Sequence, residues 1–235
     1  IRVGDVVDGG REPESNGEHR GVIVGAHPAQ GRVAVSRPKV VDGEDYLNLV
    51  DSVLDGWFTS GRFTKAFEKK LSSFVGKRYA MFVNSGSSAN DITMLALREL
   101  VGTGEIIVPA LTWVSDIASV LHAGHTPVFV DIDRKSLGMS TENILTAVTP
   151  KTKAVFITHI LGYDALTDEL LSELNRLKIP LIEDVCESHG ATHNGEKLGS
   201  FGWASNFSFY YAHHMTTIEG GIISRSEEHT SELQS

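Results

Sequence analysis

The stretch SFYYAHHMTTIEGG, residues 208–221, concentrates groups able to do chemistry. A strand-like aromatic run from Ser208 leads into adjacent His213 and His214, and a Glu-Gly-Gly turn follows. Imidazole, with an ordinary pKa near 6.5, suits proton transfer at neutral pH. Two adjacent histidines are not a common metal-ligand spacing. No lysine occurs after Lys197.

Three further stretches could complete a site. PLIEDVCESHGA (180–191) ends an apolar run in Glu183 and Asp184. A carboxylate there could pair with a cationic ring nitrogen, such as the pyridinium of pyridoxal phosphate. Equally, the two acids could simply finish a strand. FVNSGSSAN (82–90) reads as strand, turn and helix start. Gly86 would let the backbone approach an anion, and Ser87 and Ser88 could cap a helix whose free N–H groups suit a phosphate. An ordinary capped turn uses the same letters, and the stretch is neither G-x-G-x-x-G nor a Walker A loop. In VPALTWVSDI (108–117), Trp113 follows a strand, where its indole could stack on a flat ring or pack into the core. VFVDIDR (128–134) has the D-x-D spacing of metal-dependent sugar transferases, although Asp131 and Asp133 fit a strand end better.

The elements that must position these residues alternate. The strand-like runs are YAMFVN, EIIVP, PVFVD, KAVFIT, PLIED, NFSFYY and GGIIS. Helical runs, SSANDITMLALREL, TWVSDIASVLHAG, STENILTAVT and LTDELLSELNRL, lie between most of them. The strands are short and apolar on both faces. Such alternation predicts an α/β fold with a mainly parallel central sheet and helices on both faces. Functional residues then belong at strand ends and in the loops that follow. Upstream, DGEDYLNLVDSVLDGW carries Tyr46, Leu47, Val50, Val53 and Leu54 on one helical face. SGRFTKAFEKKLSSFVG is a second amphipathic helix, with Phe63, Phe67, Leu71 and Phe74 apolar and Gly76 as its stop. Residues 1–40, rich in Gly, Glu, Arg and Pro, read as an N-terminal arm or loose strands.

The 235 residues suit one large domain, or one and part of a second. A hydrophobic share of 41% and a charged share of 22% are ordinary for a globular chain. The net charge of −9 argues against a nucleic-acid binder. No apolar run approaches the roughly 20 residues of a membrane span. With one cysteine, Cys186, no internal disulfide can form, and a cytoplasmic location is expected. The last stretch, RSEEHTSELQS (225–235), reads codon for codon as a translated sequencing adapter and is set apart from fold reasoning.

Taken together, SGRFTKAFE, VNSGSSAN, VPALTWVS, TPVFVDID, IEDVCESHGAT, KLGSFG and SFYYAHHMTTIEGG resemble the DegT/StrS family of pyridoxal-phosphate sugar aminotransferases. They occur in the family's order and at its spacing. The resemblance implies an aspartate-aminotransferase-like large domain over 41–224, with the smaller C-terminal domain missing. The family's last motif is Ser-Phe-x-x-x-Lys, whose lysine binds the cofactor covalently. Counted from Ser208, that position is His213. AHHMTTIEGG is similar to the 3-dehydrase branch, which removes the 3-hydroxyl of nucleotide-linked 4-keto-6-deoxysugars.

The resemblance implies a site in which His213 is the catalytic base on pyridoxamine phosphate. Asp184 would hold the ring nitrogen, Gly86, Ser87 and Ser208 the phosphate, and Trp113 the ring face. Glu187 stands where the family's aminotransferases usually have glutamine, near the cofactor's phenolic oxygen. Cys186 stands where a cluster-bearing subgroup places its first ligand, so a 2Fe–2S cluster and a separate reductase are implied only for a longer chain with further cysteines. A nucleotide-sugar substrate and a homodimer with the site at its interface are also implied. The alternatives are a sugar aminotransferase and a cofactor-binding protein without catalysis. The 235 residues alone are expected to be inactive.

Overall fold

A computed structural model describes residues 22–23, 40–41 and 43–226. The expected arm and the adapter-like tail therefore lie almost wholly outside the described residues. The chain divides into two units, Ile1–Lys70 and Leu71–Ser235. In the first, β1 (Val22–Ile23) pairs antiparallel with β2 (Val40–Val41). Helix α1 (Gly43–Leu54) forms as its periodicity predicts. Its apolar face is exposed, however, from Tyr46 at 53% to Leu54 at 77%. Arg62 reaches back to Asp51 at 2.6 Å and Asp55 at 2.8 Å. Helix α2 (Arg62–Phe74) contains the division between the units, and the chain beyond it turns at Gly76 with φ 68°.

The second unit is built on a seven-stranded sheet. Its strands are β3 (Tyr79–Val83), β4 (Glu105–Pro109), β5 (Thr126–Val130), β6 (Thr152–Thr158), β7 (Leu181–Asp184), β10 (Ala204–Ser208) and β11 (Gly221–Arg225). A hairpin of β8 (Thr192–His193) and β9 (Glu196–Lys197) stands apart. The order across the sheet is β3-β11-β10-β7-β6-β4-β5. Only β11 runs against its neighbours, pairing antiparallel with β10 and β3. Each expected strand is present, and the sheet is mainly parallel as the alternation predicts.

Four helices connect the strands: α3 (Gly86–Val101), α4 (Val114–His122), α5 (Thr141–Ala147) and α6 (Asp168–Leu177). β3 is at one edge of the sheet and β4 is near the other, so α3 must cross the sheet, and it packs on β10 and β11. Strands alternate their side chains between faces. On the face toward α3 and α4, Ile106, Val108, Ala154, Phe156, Ile182 and Ala204 join Met94, Leu97 and Val120 in one buried cluster. Each of the larger side chains contributes about 1.5–3 kcal/mol on burial. The opposite face is also covered, since Val155 and Ile157 are buried.

Two expectations are corrected. The strands are not apolar on both faces throughout: Tyr79, Met81 and Phe129, on the outer strands, are about half exposed, and β10 buries Ser205, Asn206 and Ser208. The aromatic run NFSFYY does not continue as a strand to Tyr211. β10 stops at Ser208: the Phe209 N–H still reaches Gly220 across the hairpin, but its carbonyl turns to accept from Thr217.

Candidate active site

The alternation that fills the core also builds the site. The residues that follow Phe156, Ile182 and Ala204 on the same face are Thr158, Asp184 and Asn206. These three are in register, Thr158 beside Asp184 and Asp184 beside Asn206. The face that is apolar in mid-sheet thus becomes polar at the carboxyl edge, where the N-terminus of α3 arrives.

Asp184 is 4% exposed, and its Oδ1 accepts the N–H of Cys186 at 2.8 Å. Its neighbour Glu183 points to the other face and has a different task. Its carboxylate accepts the N–H of Gly199 at 2.7 Å and that of Gly202, and lies 3.4 Å from His159 Nε2. Burial pushes the Glu183 carboxyl up. The hydrogen bond and charge of His159, with the two glycine donors, outweigh burial and hold it below the usual range. Of the two acids the sequence left open, Glu183 is structural and Asp184 faces the carboxyl-edge cluster.

Ser85, rather than Ser87 or Ser88, caps α3: its Oγ accepts the N–H of Ser88 at 3.1 Å. A serine can serve as N-cap only from the non-helical position before the first turn, which Ser85 occupies with φ −164°. Gly86 and Ser87 then carry first-turn N–H groups, which lack helical partners. A Cβ on Gly86 would stand 2.7 Å from Ser208 Cβ and 3.2 Å from Cys186 Sγ. Gly221 likewise closes on Ser85 and Gly86 with no room for a side chain. Both glycines are needed for the helix start, Ser208 and the end of β7 to meet, so Gly221 of the opening stretch is a packing requirement.

The other expected residues fall around this centre. Trp113 precedes α4 and is 69% exposed, so it is not a core tryptophan. Glu187 accepts the N–H of Leu161 at 3.2 Å, where Leu161 has a left-handed φ of 52°. Cys186 is partly buried, and burial together with Asp184 pushes its thiol well above its ordinary value, which works against thiolate ligation. His213 is half-buried and its N–H donates to Tyr210. Its ring meets the edges of Tyr210 at 6.0 Å and His189 at 6.3 Å between centroids. His214 is exposed. Thus Gly86, Ser208, Cys186 and Asp184 form one contiguous group, while His213 packs with the aromatic cluster of His189, which itself stacks on Phe209 at 5.2 Å.

Some residues do other work. Asp133 spends its Oδ1 on the N–H groups of Lys135 and Ser136, and Asp131 accepts from Ile132, so D-x-D finishes a turn. His189 and His193 are four apart, a possible metal-ligand spacing, yet His193 turns to Asp164 at 2.6 Å and Asp168 at 3.1 Å. Among the described residues no cluster of three or more His, Cys, Asp or Glu is placed to hold a metal ion.

Sequence reasoning missed a polar network behind Asp184. Thr93 donates to Asn206, Asn206 donates to Asn90, and Asn90 donates to Asp116 at 2.7 Å. Thr112 and Thr158 also donate to Asp116, which is completely buried. The available signal was polar residues at inward positions next to apolar ones: Asn206 in β10, and Asp116 two residues after a helix start.

Against known proteins, residues 41–234 match the DegT/DnrJ/EryC1/StrS aminotransferase family. The chain belongs to that family. Its relatives in the family include the lipopolysaccharide biosynthesis protein RfbH of Salmonella typhimurium, 38% identical over 192 residues, covering 79% of this chain and 44% of that protein. The GDP-4-keto-6-deoxy-D-mannose 3-dehydratase of Escherichia coli is 38% identical over 185 residues, covering 76% and 48%. A solved structure of the Escherichia coli dehydratase with bound hydrated PLP superposes with a TM-score of 0.76 at 36% identity, covering 83% of this chain and 51% of that one. The chain spans about half the length of these DegT/DnrJ/EryC1/StrS relatives. The α/β fold with its mainly parallel sheet is the fold of these neighbours.

Proposed function

We propose that this chain forms the cofactor-binding part of a pyridoxamine-phosphate-dependent 3-dehydratase acting on a nucleotide-linked 4-keto-6-deoxyhexose. The observation that carries the reading is His213, five residues after Ser208, where a lysine would bind the cofactor covalently. The residues present fit the cofactor. The helix start made accessible by Gly86 suits a phosphate, and Asp184 is a buried carboxylate suited to a ring nitrogen.

In this reading the N–H groups of Gly86 and Ser87 and the hydroxyl of Ser208 hold the phosphate. Asp184 keeps the ring nitrogen protonated, Trp113 covers the ring, and Glu187 stands near the phenolic oxygen. His213 would serve as the base for the methylene carbon that carries the cofactor's amine. Bound there, pyridoxamine phosphate would supply an amine able to condense with the sugar's 4-ketone and an electron-accepting ring. Lysine at 213 would reclaim the cofactor and favour amino transfer. Histidine can move the proton without that competing path. The relatives named as acting on GDP-4-keto-6-deoxymannose, and one named for lipopolysaccharide biosynthesis, support a GDP-linked substrate on a route to surface deoxysugars.

The test is a set of three variants made in the longer protein of which this chain would form the cofactor-binding part. His213→Asn is expected to keep pyridoxamine-phosphate binding and lose dehydration of GDP-4-keto-6-deoxymannose, whereas His214→Asn loses far less. His213→Lys is expected to form a borohydride-reducible adduct with pyridoxal phosphate at residue 213, read by mass spectrometry. Full turnover in His213→Asn, or no adduct in His213→Lys, refutes the reading.

A further inference from the structure

Asp116 has no role assigned in the cofactor reading, yet it is a fully buried acid in the network behind Asp184. The first turn of α4 carries it, and it is completely buried. Its Oδ1 accepts from Asn90, and its Oδ2 meets the hydroxyls of Thr112 and Thr158. Thr158 is the strand neighbour of Asp184 on the same face, and the Asp116 and Asp184 carboxyls are within hydrogen-bonding reach.

The hydrogens can be counted. Thr112 Oγ1 and Thr158 Oγ1 are 2.7 Å apart, each also touches Asp116 Oδ2, and Asp116 touches Asp184. The two hydroxyls supply only two hydrogens for these oxygen–oxygen contacts. A carboxyl–carboxyl contact in particular holds no hydrogen unless one partner keeps its proton. Two like charges at such range would also repel strongly in a buried setting. Asp184 has the Cys186 N–H and an open side toward the sheet edge, whereas Asp116 has neither backbone donor nor access to water.

We propose that Asp116 is a positioning residue: it keeps its proton at neutral pH and donates it to Asp184, so the pair presents one oriented negative charge to the cofactor's ring nitrogen. The claim rests on the cofactor reading above and deepens it. Burial pushes the Asp116 carboxyl well above the usual carboxylate range, the Asp184 charge adds to this, and the Thr112 and Thr158 donors only partly offset it. The titratable neighbours are Asp184 and Cys186, both at the end of β7. The other groups facing Asp116, namely Asn90, Thr112 and Thr158, are neutral. A fully ionised pair would hold the ring cation by charge alone. A pair sharing a proton also fixes the direction of the Asp184 lone pairs, and direction is what an electron-accepting ring requires of its partner.

Infrared difference spectroscopy on the cofactor-free protein reads the proton directly. At pH 7 the wild type minus Asp116→Asn spectrum is expected to show the carbonyl band of one protonated carboxyl. In Asp184→Asn, which removes the like charge, that band is expected to titrate away at lower pH than in the wild type. Asp116→Asn still donates to Asp184, so it should hold pyridoxamine phosphate within about threefold of wild type. Asp116→Ser, too short to reach, should lose about tenfold or more. A missing band at pH 7, an unmoved titration in Asp184→Asn, or equal affinity loss in the Asn and Ser variants overturns the proposal. If the band and its shift are found while no form binds pyridoxamine phosphate, the proton sharing stands, but its assignment to a ring nitrogen fails together with the cofactor reading.

Discussion

Glu183 and Asp184 are adjacent carboxylates with opposite consequences for the protein when each is made an amide. Glu183→Gln keeps one oxygen for Gly199 or Gly202 but turns an amide N–H₂ toward the other glycine's N–H. One buried backbone donor is then unsatisfied, at about 1–3 kcal/mol. Loss of the charged partner of His159 adds about 1 kcal/mol, because that contact is long at 3.4 Å. The total is about 2–4 kcal/mol, which for a chain of this size lowers Tm by about 5–15 °C. Asp184→Asn can still accept the Cys186 N–H and a hydrogen bond from a protonated Asp116, so its stability should change by no more than about 1.5 kcal/mol. The assay is thermal unfolding followed by near-UV circular dichroism at several pH values. Glu183 has a folded-state pKa below its unfolded value of 4.5, so its stabilisation is present above that pH. It is lost as pH falls through the lower folded value, and the gap between wild type and Glu183→Gln should narrow there. Equal Tm losses in the two variants, or no loss in Glu183→Gln, would refute the division of labour described for this strand end.

Gly86→Ala should cost about 1–3 kcal/mol, because its Cβ would meet Ser208 Cβ at 2.7 Å, and it should weaken pyridoxamine-phosphate binding measured by fluorescence titration. His193 titrates above 6.5: burial opposes its charge, but Asp164 and Asp168 outweigh burial. Its stabilisation is therefore full below pH 6.5 and declines as pH rises through the folded value, and His193→Gln should flatten that part of the Tm–pH curve. Asp116 works with the opposite cost. Its raised folded pKa makes stability fall as pH rises above its unfolded value of 3.8, by up to about 1.4 kcal/mol per pH unit, and Asp116→Asn should remove that slope in denaturant titrations at a series of pH values.

The sequence by itself determined the alternation of strands and helices, because apolar periodicity is a local property that each segment carries without its neighbours. It also determined the candidate residues: SFYYAHHMTTIEGG, IEDVCESHGAT and VNSGSSAN are legible as chemistry because their residue types are rare in that order. Only the tertiary structure decided which member of each pair does what. Glu183 and Asp184 are equivalent in one dimension, and the face each takes is set by strands that arrive from distant parts of the chain. The capping of α3 by Ser85 depended on where the helix begins, which the run of small residues left open. The antiparallel insertion of β11 between β3 and β10 decided why a glycine stands at position 221, since it brings Gly221 against the start of α3. Asp116 was invisible for the same reason. In sequence it is one acid near a helix start, and it becomes a partner of Asp184 only because the first turn of α4 brings it to Thr158, which stands beside Asp184 in register.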